Sequence, residues 1–160
     1  MEFSNLEIVD VSNDVDLKKF ILYTLKYFTK VGYYKVKRGE PLGGFNFKYF
    51  ICRDVEKKIP ITLIITCMGN PLVLRKAGID IDVRKSVFLR RIFTLPPFNN
   101  LQLSSKCLNL LEEKLKNEGI EIIYSFTLPK HSGALYKHAG WNEGYKVKRK
   151  RIKMFYKILK

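Results

Sequence analysis

Apolar residues fall along this chain either in short runs or at helical spacing, and turn-forming residues mark the boundaries between them. Leu6 to Val11 reads as a short strand. Ser12-Asn13-Asp14 then caps a helix from about Val15 to Thr29, with Leu17, Phe20, Ile21, Thr24, Leu25 and Phe28 at helical spacing. Gly39-Glu40-Pro41-Leu42-Gly43-Gly44 marks a loop. Phe45 to Cys52 and Ile59 to Cys67 are strands joined by the polar Arg53 to Lys58 turn, which predicts an antiparallel hairpin. Met68 to Lys85, interrupted by Gly69-Asn70-Pro71 and Gly78, is expected to be a long loop, with or without a short strand.

Ser86 to Thr94 is a further strand. A helix follows from Leu101 to Asn117, with Leu101, Ser104, Leu108, Leu111 and Leu115 on one stripe and Gly119 stopping it. Ile120 to Phe126 is a nearly unbroken apolar run, as expected of a central strand covered on both faces. A short helix is predicted over Gly133 to Ala139, and a last strand or ribbon over Tyr145 to Leu159. No repeat or linker divides the chain, so residues 1–160 are expected to form one domain. Strands on both sides of a strand–helix–strand crossover imply an α/β (α+β) fold around one mixed sheet.

Charge changes this picture. The chain has 160 residues, 30 Lys and Arg against 15 Asp and Glu, and a formal net charge of +15. A field of that sign favours polyanions, nucleic acid before an anionic membrane. The first sixteen residues carry acids and no base, whereas Lys146, Lys148, Arg149, Lys150, Arg151, Lys153, Lys157 and Lys160 crowd the C-terminus without an acid. Cys52, Cys67 and Cys107 all lie in apolar settings without a C-x-x-C pair, so each is expected to be a buried reduced thiol, and structural zinc is not expected. No signal peptide is visible, and Ile61 to Met68 is too short to span a bilayer. These readings imply a soluble, cytoplasmic protein with no membrane partner.

The chemistry concentrates between Arg90 and Trp141. A strand that delivers the chain to a helix N-terminus builds an anion site, because the first helical N–H groups lack internal partners. Here Thr94-Leu95-Pro96-Pro97-Phe98-Asn99-Asn100 leads into Leu101-Gln102-Leu103-Ser104-Ser105. His131-Ser132-Gly133-Ala134-Leu135-Tyr136 follows the next strand and places a phenol near that site. This order resembles the GNAT acyltransferases, whose fold is a mixed, mainly antiparallel central sheet flanked by helices. In that superfamily the strand-to-helix loop holds the pyrophosphate of coenzyme A. Asn99 stands at the usual basic or amide position, and Gln102 and Ser104 stand where glycines are usual. Arg90-Arg91-Ile92-Phe93-Thr94, Pro97-Phe98-Asn99, Ser104, Ser125-Phe126 and His131-x-Gly133 with Tyr136 further resemble the Mom-type DNA-modification proteins of bacteriophages.

The resemblance implies an acyl-CoA donor, acetyl-CoA or another, contacted by Thr94, Leu95, Asn99, Asn100, Gln102, Ser104 and Ser105. It also implies that Tyr136 protonates the leaving thiolate, which a phenol can do because its pKa is close to a thiol's. His131, past the end of a strand, is a candidate base for an attacking amine. His138 reads as a structural or surface group, and Trp141 as a core or rim aromatic, with stacking on a base as its alternative. In a regular strand Arg90 and Arg91 point to opposite faces, and Arg91, nearer the crossover loop, is the favoured anion contact. Lys148-Arg149-Lys150-Arg151 is a turn or a nucleic-acid contact. The loop acids Glu40, Asp54 and Asp80 are unranked candidate bases.

The expected function is therefore transfer of an acyl or related small group to an amine, with a nucleobase in DNA, or in RNA, as acceptor. A virus- or mobile-element-encoded origin fits the Mom-type resemblance. Two alternatives are a protein or small-molecule N-acetyltransferase, and a nucleic-acid-binding protein on a degenerate GNAT scaffold.

Overall fold

The structure is a computed structural model that describes residues 5–28, 46–127, 133–147 and 152–160. Among these residues seven strands form one sheet: β1 (Leu6–Asp10), β2 (Lys48–Asp54), β3 (Pro60–Met68), β4 (Ser86–Thr94), β5 (Ile122–Phe126), β6 (Asn142–Val147) and β7 (Ile152–Ile158). Their spatial order is β1-β2-β3-β4-β5-β7-β6. Every described pairing is antiparallel except β4 with β5. That parallel pair requires a crossover, supplied by helix α3 (Leu101–Asn117). The predicted hairpin and C-terminal ribbon are both present.

Strand alternation sends the core to both faces. On one face, Ile21 and Leu25 of α1 (Val15–Phe28) pack on Ile51, Leu63 and Ile65. On the other, Leu108, Leu111 and Leu115 of α3 pack with Phe50, Ile64, Val87, Leu89, Ile123 and Phe155. Leu101, expected on the buried stripe, is exposed at the first turn of α3. Ser105 and Cys107 are buried there instead.

The stretch expected to be a loop between Met68 and Lys85 contains helix α2 (Pro71–Lys76) and a 3-10 turn (Val83–Lys85). The Asn70 side chain accepts from Leu72 N at 2.8 Å, and Pro71 needs no intrahelical donor at that position. Six residues are too few for periodicity to announce a helix. Leu74 anchors it over Ile122, Tyr124 and Met154, so β5 is covered on both faces.

The expectation of three reduced thiols is also corrected. Cys52 on β2 and Cys107 on α3 are joined by a disulfide, while Cys67 is free and buried. Their separation of 55 residues hides the pairing from any local motif.

Helix α4 (Ala134–His138) starts at Gly133, whose φ of 78° suits glycine. A Cβ there would meet the Phe155 ring at 2.6 Å, so glycine also permits the close approach of α4 to β7. Trp141 is buried, as expected of a structural aromatic, and its Nε1 donates to Glu112 Oε2 at 3.0 Å. Lys157 of β7 pairs with the same carboxylate and donates to Ala139 O at 3.1 Å. This network ties the end of α4 to α3 and β7.

Candidate active site

The site forms where two parallel strands part. β4 and β5 pair only from Ser86–Ile122 to Phe88–Tyr124. Beyond Phe88 the β5-facing edge of β4 has no strand partner among the described residues, although β4 runs on to Thr94. Such an edge presents N–H and C=O groups that an extended chain can pair with. At the fork, Ser125 Oγ donates to Leu89 O at 2.8 Å. The Tyr136 hydroxyl donates to Ser125 Oγ at 3.1 Å. The Tyr136 ring stacks on Phe155 and lies tilted against Trp141. The phenol is thereby held at the fork on the α3/α4 face.

A bulge accompanies the parting. Ile65 pairs with Arg91 and Thr66 with Leu89, which leaves Arg90 as the additional residue in β4. The expectation that Arg90 and Arg91 point to opposite faces is corrected by it. Arg91 registers with Ile65, which packs beneath α1, and the Arg90 guanidinium lies 5.2 Å from the Phe88 ring centre on that same face. A period-2 argument holds only for a regular ladder. Arg90 Nε is buried and has no hydrogen-bond partner among the described residues.

The N-terminus of α3 is already engaged by its own side chains. Asn100 Oδ1 accepts from Gln102 N at 2.8 Å and Leu103 N at 3.3 Å. Ser104 Oγ shares a 2.7 Å hydrogen bond with Thr94, whose hydroxyl also contacts Thr62. Ser105 Oγ donates to Leu101 O at 2.8 Å and lies 2.7 Å from His138 Nδ1. Leu95 donates its N–H to Ile61 O and packs toward the α1 cluster. Asn99 and Gln102 are exposed. The structure thus brings Thr94, Asn100, Ser104 and Ser105 to one helix entry, where capping consumes the donors that a phosphate would use.

On the α1/α2 face an aromatic row borders the arginines. Phe88 stacks on Tyr124 at 5.0 Å, Phe126 meets both rings edge-on, and Tyr145 meets Phe126 edge-on at 6.1 Å. Lys76 Nζ sits 4.8 Å from the Tyr145 ring centre. Burial pushes the Tyr124 phenol up to about 12, against the opposing pull of the Asn70 N–H bond and the Arg90 charge. The unfolded chain releases this proton near pH ~10. The contribution of Tyr124 to stability is therefore constant below pH ~10 and falls as pH rises from there toward about 12. Denaturant midpoints measured across that window are expected to drop, and Tyr124→Phe is expected to flatten the drop. An equally steep loss in that variant excludes Tyr124 as its source.

His131, Glu40 and Lys148 to Arg151 lie outside the described residues. Asp54 ends β2, is buried, and accepts from Lys57 N at 2.7 Å, while Asp80 is exposed on the stretch after α2. Sequence reasoning missed Ser125 as the partner of Tyr136, the disulfide, and the aromatic row. Tyr124 and Phe126 do fall at same-face spacing within β5, but only the pairing of β4 with β5 shows that they meet Phe88.

Strand order, the parallel β4–β5 fork, the bulge and the α3 crossover together define the GNAT acetyltransferase fold, and this chain has it. The spermidine N-acetyltransferase of Vibrio cholerae superposes with a TM-score of 0.66 at 15% identity, covering 98% of this chain and 95% of that one. A GNAT-family acetyltransferase from Staphylococcus aureus gives 0.60 at 16% identity, covering 98% and 100%. The ribosomal-protein-S18-alanine N-acetyltransferase of Escherichia coli gives 0.57 at 16%, covering 97% and 94%. By sequence, the chain is similar to uncharacterized protein 154 of Sulfolobus islandicus rod-shaped virus 1, 29% identical over 155 residues and covering 96% of each. No family model matches. Among the described residues no helix is long and apolar enough to cross a membrane.

Proposed function

We propose that this protein is an N-acyltransferase that moves an acyl group from an acyl-CoA-type donor to an amine on a nucleic acid, a nucleobase foremost. The observation that carries the reading is the fork itself. The Tyr136 hydroxyl stands on one face of the parted strands, and the arginine pair stands on the other.

The acceptor follows from charge. Spermidine is a polycation, and a chain of net charge +15 with two adjacent arginines at the fork repels such a molecule. An amine carried on a polyanion is drawn in by the same field. The exposed face of α1 adds Lys19, Tyr23, Lys26 and Tyr27, a mixture of bases and aromatics suited to a nucleic-acid strand. The viral relative accords with a virus-encoded origin.

The donor fits in part. The open β4 edge beyond Phe88 suits an extended, amide-bearing arm. A pyrophosphate at the α3 entry has to displace the Asn100 carboxamide from Gln102 N and Leu103 N, with Ser104 and Ser105 nearby. When bound, the thioester supplies an activated carbonyl carbon and a thiol leaving group. Tyr136 holds a proton at its phenolic oxygen for the departing sulfur. His131 is the candidate to accept the amine's proton, and Lys148, Arg149, Lys150 and Arg151 are candidates for backbone phosphates.

Two measurements test this function. Acetyl-CoA at about 100 times its Kd is expected to stabilise the native state by ~2.7 kcal/mol. Nucleosides from cells expressing the protein are expected to carry an acyl-type mass increment. Unaltered nucleosides together with acetylated protein overturn the acceptor and leave a protein N-acetyltransferase. The self-capped α3 entry favours one other reading, a nucleic-acid-binding protein that has lost its donor. Absence of any shift at saturating donor selects it.

A further inference from the structure

Arg90 is the least explained charge in the fold. Its Nε–H is buried without a hydrogen-bond partner among the described residues, and an unsatisfied buried donor calls for an occupant. Its guanidinium lies over the Phe88 ring, and its charge partly opposes the rise that burial imposes on the Cys67 thiol and the Tyr124 phenol. The row continues from Phe88 through Tyr124 to Phe126 and Tyr145, and Lys76 stands at its far end. Tyr124 is fully buried beneath α2, yet Phe88, Phe126 and Tyr145 are only half-buried. An aromatic row serving the core alone has no reason to emerge beside a fork with a cation at each end.

We propose that this face is the acceptor pocket and that it takes a nucleobase, stacked on Phe126 with the Tyr145 ring, set at 71° to Phe126, as the side wall. In this pocket the Arg90 fork donates to a carbonyl or ring nitrogen of the base, and Lys76 meets the flanking phosphate. Stacking accepts any base because every base has a π face, whereas a planar fork of N–H donors selects for acceptor atoms in the base plane. A base in a duplex has to leave the stack to enter such a pocket. The inference rests on the nucleic-acid reading above and specifies its residues.

The test is calorimetric titration of the full-length chain with the four deoxynucleoside 5′-monophosphates, with deoxyribose 5-phosphate as the base-free control. At least one nucleotide is expected to bind tenfold or more tightly than the control. Phe126→Leu, which keeps the apolar volume and loses the ring, is expected to weaken that nucleotide about tenfold. Tyr145→Leu on edge strand β6 serves as a second variant in case Phe126→Leu does not fold. Arg90→Lys is expected to retain charge and yet lose the preference among bases. Nucleotide and control binding alike, or both folded leucine variants retaining wild-type nucleotide affinity, overturns the pocket. Acetyl-CoA stabilisation measured on the same samples keeps the two failures apart. A donor shift without base binding sinks the pocket alone, whereas base binding without a donor shift supports the pocket and sinks the acyltransferase reading.

Discussion

Reduction of the Cys52–Cys107 bond is expected to lower the thermal midpoint of this protein by about 10 °C. The bond closes a loop of 55 residues, and the loss of unfolded-chain entropy on cross-linking a loop of that length corresponds to about 4 kcal/mol. For a domain of this size each kcal/mol moves the midpoint by roughly 2–4 °C. Both sulfurs are fully buried between β2 and α3, next to Ile61, Phe98 and Leu103. The bond thus pins the helix whose first turn forms the candidate donor site. Differential scanning with and without reductant measures the shift, and the double variant Cys52→Ala, Cys107→Ala should reproduce it without reductant. A thiol count on the unfolded, unreduced chain provides the independent check. One reactive thiol, Cys67, is expected, and three would show that the bond does not form.

Tyr136→Phe is expected to cut turnover by about 10²- to 10⁴-fold, the usual contribution of a positioned proton donor. The ring packs on Phe155 and Trp141, and phenylalanine keeps those contacts. The hydroxyl hydrogen bond to Ser125 is lost, at a cost of about 1 kcal/mol in stability. Turnover therefore falls far more than folding does, and salt-dependent nucleic-acid affinity remains that of the parent chain. The pH dependence separates the two roles. A proton donor imposes a basic limb on kcat that disappears in the variant, whereas a purely packing tyrosine leaves the profile unchanged. Activity within threefold of the parent removes Tyr136 from the reaction.

Much of the architecture was legible in the residues because it rests on local rules. The apolar runs of β1 to β4, the Asp14 and Asn100 caps and the Leu108-Leu111-Leu115 stripe each act within a few residues. Helix α2 was not legible, since a six-residue helix carries less than two turns of pattern. The candidate site was legible in its inventory and not in its arrangement. Asn100, Ser104 and Ser105 were placed at the right helix entry, yet whether their donors point outward or are used internally depends on side-chain partners such as Thr94 and His138.

The residues alone establish the order of the strands and of helices α1, α3 and α4, the excess of positive charge and the position of the Gly133–Tyr136 segment after the central strand. The bulge at Arg90, the meeting of Cys52 with Cys107 and the aromatic row beside the fork come from the folded arrangement. All three share one cause. Each depends on which residues of distant strands and helices lie opposite one another. That register is set by the packing of the whole sheet and by no stretch of chain alone.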